Sequence, residues 1–155
     1  MKHVTVYTDG SCSGNPGPGG WGVLLEYGPI EKELSGAEVH TTNNRMELRA
    51  ALEALRALKE PCRVDIHTDS TYLQRAFTEG WLTNWQKRGW KTASKKPVEN
   101  RDLWEALLDA VKPHEVRWIK VKGHADDERN NRVDGLAVKA MKAGVAARSA
   151  TAARS

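Results

Sequence analysis

Four acidic residues occupy positions where α/β proteins commonly place ligand-binding groups. Asp9 ends the apolar run "HVTVYTD" and Asp69 ends "RVDIHTD", and a small residue follows each of them. Glu47 lies in the first turn of a predicted helix, and Asp134 lies near the start of another. Side chains at the carboxyl ends of strands face the ligand crevice of an α/β sheet, so we expect the four carboxylates to converge there.

Each acid also has a purely structural interpretation. Glu47 follows Asn44 by three residues and fits the last position of a capping box. Asp69 and Asp134 suit helix starts, and the aspartate of the first strand suits a turn. Capping does not require clustering, however, and clustered carboxylates raise one another's pKa unless a cation neutralises them. Oxygen ligands of this kind favour magnesium or manganese over zinc.

The pattern along the chain predicts the elements that would position these acids. "HVTVYTD", "WGVLLEYG" and "EKELSGAEVH" read as three antiparallel strands. The loop between the first two contains Asn15, Pro16 and several glycines, and we interpret it as a hairpin connection. A phosphate-binding loop is disfavoured because such a loop opens a helix, whereas this segment leads into the strand-like run "WGVLLEYG" and lacks "GxxxxGK[ST]".

The remaining segments alternate between helix and strand. Apolar residues at helical spacing predict a helix over 43–60, and 63–69 reads as a fourth strand. A short helix over 70–80, a basic insert, a helix over 100–112, a fifth strand from residue 115 and a helix over 130–144 complete the order. This order predicts one α/β domain with a mixed sheet over residues 1–143. The small, basic segment 144–155 is expected to be disordered.

Composition and charge restrict the function. The 155 residues suit one domain, and two cysteines suggest free thiols in a reducing compartment. No apolar run reaches the length of a signal peptide or a membrane span, so we expect a soluble cytoplasmic protein without a membrane partner. Residues 81–100 carry five basic residues against Glu99, within a chain of net charge +4. A basic strip beside a cation site suggests a polyanionic partner.

Six motifs match one known family in order and spacing: "YTDGSCSGNPGPGGWG", "TTNNRMELRAAL", "TDSTYL", "GWLTNWQKRGWKT", "KPVENRDLW" and "VKGHADDERNNRVDGLA". Along nearly its whole length the chain resembles bacterial ribonuclease HI. The resemblance implies an RNase H-like fold, a five-stranded mixed sheet with an antiparallel meander of the first three strands and parallel strands beyond it, flanked by helices. It also implies endonucleolytic hydrolysis of the RNA strand of RNA/DNA hybrids.

The resemblance assigns catalytic roles to specific residues. It implies that Asp9, Glu47, Asp69 and Asp134 bind two Mg²⁺ ions, with Mn²⁺ as the alternative, and that His124 assists proton transfer or product release. One ion would activate the attacking water and the other would stabilise the leaving 3′-oxygen. The products would carry 5′-phosphate and 3′-hydroxyl ends.

The resemblance also implies the substrate contacts. The residues that would contact the minor groove are Gly10, Cys12, Asn15, Asn43, Asn44 and Thr71. Thr42 and Asn84 would contact a phosphate of the DNA strand. The strip 81–100, called the basic handle below, would bind the hybrid through Trp81, Lys87 and Arg88. The 2′-hydroxyl distinguishes RNA from DNA in the minor groove, and phosphate contacts carry no base sequence, so little sequence specificity is expected. A monomer is the expected state.

Two other functions stay open at this stage. A module of the same fold could bind nucleic acid without cleaving it, because fold alone does not establish activity. A related nuclease could act on duplex DNA. The presence of all four acids disfavours the first alternative, and the segment "NNRMEL" disfavours the second.

Overall fold

The computed structural model describes residues 1–121 and 127–154, with side chains described up to residue 147. Its elements in chain order are β1 (Lys2–Cys12), β2 (Gly17–Tyr27), β3 (Ile30–Thr41), α1 (Asn43–Arg56), β4 (Cys62–Thr68), α2 (Thr71–Thr78), α3 (Trp81–Lys87), α4 (Arg101–Val111), β5 (Glu115–Lys120) and α5 (Glu128–Arg154). None of the helices in these ranges combines the length and apolar character needed to cross a membrane.

The five strands form one sheet in the order β3-β2-β1-β4-β5. β1 pairs antiparallel with β2 and β2 with β3, whereas β4 pairs parallel with β1 and β5 pairs parallel with β4. Tyr7 lies opposite His67 in the parallel pair, so Asp9 and Asp69 follow that pair by two residues each and emerge at the same edge. The predicted five-stranded mixed sheet is therefore confirmed.

The helices cover the sheet from opposite faces. Gly10 faces α1, where Met46 and Glu47 lie against it, and Gly22 on the neighbouring strand faces α5 at Val133. Since Gly22 pairs with Asp9, the residue before Gly10, the two helices must lie on different sides of the sheet. The core under α1 and α4 contains fully buried apolar side chains from strands and helices, among them Val6, Val23, Leu48, Ile66, Trp104 and Leu107.

The structure differs from the expectations in three places. α1 ends at Arg56 rather than residue 60, and the basic insert contains the helix α3. α5 begins at Glu128 and continues through Arg154, where a disordered segment was expected from residue 144. The last eleven residues of the helix after Ala143 contain no proline and only one glycine, and are rich in alanine, the strongest helix former, which accounts for the continuation.

Candidate metal and nucleic-acid site

Two of the predicted acids lie at the adjacent ends of β1 and β4. Asp9 is only 4% exposed, although it carries a carboxylate. Its Oδ1 accepts a hydrogen bond of 2.9 Å from the backbone N–H of Gly10. Asp69 follows the last residue of β4 and is half-buried. The parallel pairing thus brings the two aspartates together, as the matching ends of their strands predicted.

Glu47 joins them from α1, and its capping interpretation is wrong. The helix is capped by Thr42, whose hydroxyl accepts a 3.2 Å hydrogen bond from the N–H of Arg45. Glu47 is therefore the fifth residue of α1 and lies outside a capping box that would begin at Asn44. It is 4% exposed, on the same helix stripe as the buried Ala51. Glu47 lies on the same face of the helix as the apolar residues. That position is the sequence signal that distinguishes it from a capping residue.

Gly10 allows α1 to approach β1 closely enough for this arrangement. A Cβ atom added at Gly10 would lie 2.6 Å from the backbone N of Glu47 and 2.7 Å from the carbonyl carbon of Met46. Real side chains do not tolerate such distances to backbone atoms. The glycine therefore positions the Glu47 segment against the strand that carries Asp9, which is a packing role rather than a turn role.

The three carboxylates form a compact group. One oxygen from each of Asp9, Glu47 and Asp69 lies within 4.8 Å of the others. Asp134 lines the same cleft but is exposed and lies outside this close group. It is the seventh residue of α5, too far along for a first-turn acid, so its structural interpretation as an early-helix residue is not supported. His124 lies outside the described residues.

Burial and mutual repulsion make the cluster electrostatically costly. Burial, followed by the charge of Asp69, raises the pKa of Asp9 to about 8. Burial, followed by the charges of Asp9 and Asp69, raises the pKa of Glu47 well above its usual range. The hydrogen bond from the N–H of Gly10 lowers the pKa of Asp9, but by less than burial and the charge of Asp69 raise it.

The carboxylate oxygens of the cluster fit a divalent cation. Oε2 of Glu47 is buried and has no hydrogen-bond partner among the described residues, and a buried acceptor without a partner is costly. Carboxylate oxygens are the ligands that hard divalent cations prefer. A bound cation would satisfy the free oxygen and neutralise the repulsion together.

The raised pKa of Asp9 leads to a prediction about pH and metal. In chelator, the folded protein retains the Asp9 proton between pH 3.8 and about 8, whereas the unfolded chain has lost it. The free energy of unfolding should therefore fall as pH rises through this window, by about 1.4 kcal/mol per pH unit for each such proton. Added Mg²⁺ should stabilise the fold more at pH 8 than at pH 6, because binding requires deprotonated carboxylates.

Urea unfolding at several pH values, with EDTA or Mg²⁺, measures this linkage. Asp9→Asn cannot titrate at this position and should flatten the pH dependence in chelator. A pH profile that is identical in the two proteins would contradict the assigned protonation of Asp9.

The cleft around the carboxylates has a volume of about 430 Å³ and is lined by hydroxyl and amide groups as well as acids. The predicted substrate contacts Gly10, Asn43, Asn44 and Thr71 all line it. Asn43 and Asn44 are the first two residues of α1. Amide side chains there can both donate and accept hydrogen bonds.

The hairpin between β1 and β2 is fastened to the start of α1. Oδ1 of Asn15 accepts a 3.1 Å hydrogen bond from the N–H of Asn43. Sγ of Cys12 lies 3.4 Å from the carbonyl oxygen of Thr41, the residue that ends β3. Asn15 also lines a second cleft together with Thr42. The structure therefore brings the predicted hairpin residues beside the helix that carries Glu47.

Two residues of the site were missed by sequence analysis. Asn100 lines the second cleft with Thr42, whereas Asn84 lies exposed on α3 and is not among the residues lining that cleft. Tyr72 lines the carboxylate cleft, and its hydroxyl accepts hydrogen bonds from Trp104 Nε1 at 3.0 Å and from Asn100 Nδ2 at 3.2 Å. Tyr72 follows directly after Thr71 in "TDSTYL", which was the available signal.

The basic handle packs its aromatic residues and exposes its charges. Trp81 is half-buried, with its ring centroid 6.4 Å from that of Tyr72. Lys87 ends α3, Arg88 follows it, and both side chains are exposed. Tyr72 thus connects the handle to the carboxylate cleft, while the cations face solvent.

The chain is similar to known proteins of one family. The RNase H family model matches residues 1–142. Ribonuclease H of Symbiobacterium thermophilum is 60% identical over 144 residues, which covers 93% of this chain and 98% of that protein. The family match therefore includes Asp9, Glu47, Asp69 and the part of α5 that carries Asp134.

Solved structures show the same fold. LC9-RNase H1, a type 1 RNase H with the type 2 active-site motif, is 39% identical with a TM-score of 0.83, and the match covers 92% of this chain and 74% of that one. LC11-RNase H1, solved in complex with an RNA/DNA hybrid, is 22% identical with a TM-score of 0.71 over 92% of this chain and 99% of that one. With its sequence, its fold and its cluster of acids in agreement, this chain belongs to the RNase H family.

Proposed function

We propose that this protein is an endonuclease that hydrolyses the RNA strand of RNA/DNA hybrids. The observation that carries the proposal is the group of Asp9, Glu47 and Asp69 within 4.8 Å, beside amide groups suited to a ribose hydroxyl. The relatives named ribonuclease H and the hybrid complex of LC11-RNase H1 support the same substrate class. The expected products carry 5′-phosphate and 3′-hydroxyl ends.

The carboxylates have a specific role in this proposal. Asp9, Glu47, Asp69 and Asp134 would hold two Mg²⁺ ions, with Mn²⁺ as the alternative. When bound, such ions activate a water molecule and stabilise negative charge on a phosphate. Glu47 supplies the free buried oxygen, and Asp134 supplies an exposed carboxylate at the open side of the cleft. His124 is proposed to move protons or assist product release.

Discrimination between RNA and DNA is proposed to arise at the start of α1. Asn43, Asn44 and Thr71 border the carboxylates and can donate to and accept from a 2′-hydroxyl in a minor groove. Gly10, Cys12 and Asn15 would approach the same groove from the hairpin. Because these groups read the sugar and backbone, little base specificity is expected.

The second strand is proposed to be DNA, held by phosphate contacts and by the handle. Thr42 and Asn84 are proposed to contact the DNA phosphate, and Trp81, Lys87 and Arg88 to contribute from the handle. The exposed cations would supply affinity that weakens with salt. All proposed contacts come from one chain, so a monomer suffices.

Four labelled duplexes of one sequence test the proposed activity: RNA/DNA, RNA/RNA, DNA/DNA, and DNA with one embedded ribonucleotide. Each is incubated with Mg²⁺, with Mn²⁺ and with chelator, and the products are resolved on a denaturing gel. We expect cleavage of only the RNA strand of the hybrid, and its loss in chelator. Equal cleavage of duplex DNA would point to a DNA nuclease, and hybrid binding without cleavage in either metal would point to a binding module.

A further inference from the structure

The cleft beside the carboxylates contains an unexpected negative charge. This cleft, of about 540 Å³, is lined by Asn15, Thr42, Asn43, Asn44, Glu99 and Asn100. Asn43 and Asn44 also line the carboxylate cleft, so the two clefts adjoin. Five of the six residues are neutral hydrogen-bonding groups, and Glu99 is the only charged one.

Arg45 does not offset this charge, because its guanidinium is engaged elsewhere. Nη1 and Nη2 of Arg45 donate to the two carboxylate oxygens of Asp102 at 3.0 and 2.8 Å, and Nη1 also donates to Oδ1 of Asn100 at 3.3 Å. The hydrogen bond to Asp102 raises the pKa of Arg45, and the same contact lowers the pKa of Asp102. The pair therefore joins the starts of α1 and α4 instead of presenting a cation to the cleft.

Glu99 itself is exposed and takes part in none of the ion pairs found among the described residues. It also lines a neighbouring cleft with Tyr72, Trp85 and Lys96 on the handle side. The Glu99 carboxylate thus lies where the basic handle adjoins the amide-lined cleft. An acid at this junction is unfavourable for a polyanion, and no ion pair within residues 1–121 and 127–147 explains its charge.

We propose that Glu99 sets the strength of nucleic-acid binding by repelling the backbone phosphates in this cleft. The inference rests on the proposed hybrid substrate. Because Glu99 repels phosphates, binding of a phosphate in this cleft depends on hydrogen bonds from the neutral residues Asn15, Thr42 and Asn100. Such hydrogen bonds form only when the phosphate is correctly placed. The same repulsion offsets part of the attraction between the basic handle and the nucleic acid. An exposed carboxylate several ångströms from a phosphate should weaken binding by about two- to threefold at low salt, and by less as salt screens the charge.

The test compares Glu99→Gln, which removes the charge, with Glu99→Asp, which keeps it. Glu115→Gln removes one exposed acid at the start of β5 and controls for net charge. This position lies at the opposite end of the parallel strands from Asp9 and Asp69. Binding of a fluorescent RNA/DNA hybrid is measured by anisotropy in EDTA between about 50 and 500 mM salt. We expect Glu99→Gln to lower Kd by about two- to threefold at the lowest salt, with the gain disappearing at the highest. Glu99→Asp and Glu115→Gln should bind like the unmodified protein.

The outcomes separate this inference from the proposed function, because binding in EDTA does not depend on cleavage. An unchanged or higher Kd for Glu99→Gln, in a protein that still cleaves the hybrid with Mg²⁺, overturns only the role of Glu99. An equal gain for Glu115→Gln also overturns it, since net charge rather than position would then explain the effect. Absence of hybrid binding by the unmodified protein overturns the proposed function and this inference together.

Discussion

Asp69→Asn is expected to reduce cleavage of the hybrid by about 100-fold or more while leaving hybrid binding in chelator unchanged. The substitution keeps the size of the side chain but removes one charged oxygen from the group shared with Asp9 and Glu47. Loss of a cation ligand removes about 3 kcal/mol or more of transition-state stabilisation, which corresponds to this loss of rate. Single-turnover cleavage with Mg²⁺ measures the effect directly.

Asp109→Asn provides the matched control, because Asp109 is exposed on α4 and pairs only with Lys112 among the described residues. Its cleavage rate should equal that of the unmodified protein. If Asp69→Asn also cleaved at the unmodified rate, the assignment of the carboxylate cluster as the catalytic centre would be wrong. Parallel binding measurements separate a defect in chemistry from a defect in substrate affinity.

Gly22→Ala is expected to lower the free energy of unfolding by about 1–3 kcal/mol and to reduce cleavage as well. A Cβ at Gly22 would lie 2.6 Å from the carbonyl oxygen of Val133 and 2.8 Å from Cβ of Leu136. Relief of these contacts requires α5 to move away from the sheet. Asp134 is adjacent to Val133, so the same movement would displace it from Asp9, whose strand pairs with Gly22.

Gly135→Ala is the control, since Gly135 lies in the helix α5 and a Cβ there meets no described atom within 4 Å beyond its own stretch of helix. It should stabilise the protein by up to about 1 kcal/mol, because alanine favours helix over glycine. Urea unfolding gives both stabilities, and cleavage is compared where both variants are folded. Equal stability of the two variants would show that α5 is not held as closely to β2 as described.

The sequence pattern was sufficient to predict the strands and the meeting of Asp9 and Asp69 at their ends, whereas the arrangement of the sheet was implied by the family resemblance. Alternating residues identified the strands, and aspartates at the ends of "HVTVYTD" and "RVDIHTD" predicted the edge of the sheet at which they meet. Parallel pairing of β1 with β4 then brought Asp9 and Asp69 together. This pairing joins segments that lie far apart in the sequence, so the local pattern alone does not give it.

Other features could not be predicted because they depend on contacts between distant segments. Gly10 was interpreted as part of the hairpin connection, yet it lies within β1 and accommodates α1, and the strand residue Gly22 accommodates α5. Asn100 enters the second cleft only because α4 packs beside α1, fifty-five residues from Arg45 in sequence. The cap at Thr42 depends on where β3 ends, which residue types alone do not determine.

The origin of the carboxylates has a consequence for protein synthesis. Asp9, Glu47 and Asp69 come from the first half of the chain, but Asp134 is carried by the last helix, which packs against β1, β2 and β3. The fourth acid is therefore synthesised long after the other three, and it can join them only once α5 has been made and has packed against the sheet. If the four acids act together as proposed, a chain translated only as far as α4 should not cleave the hybrid.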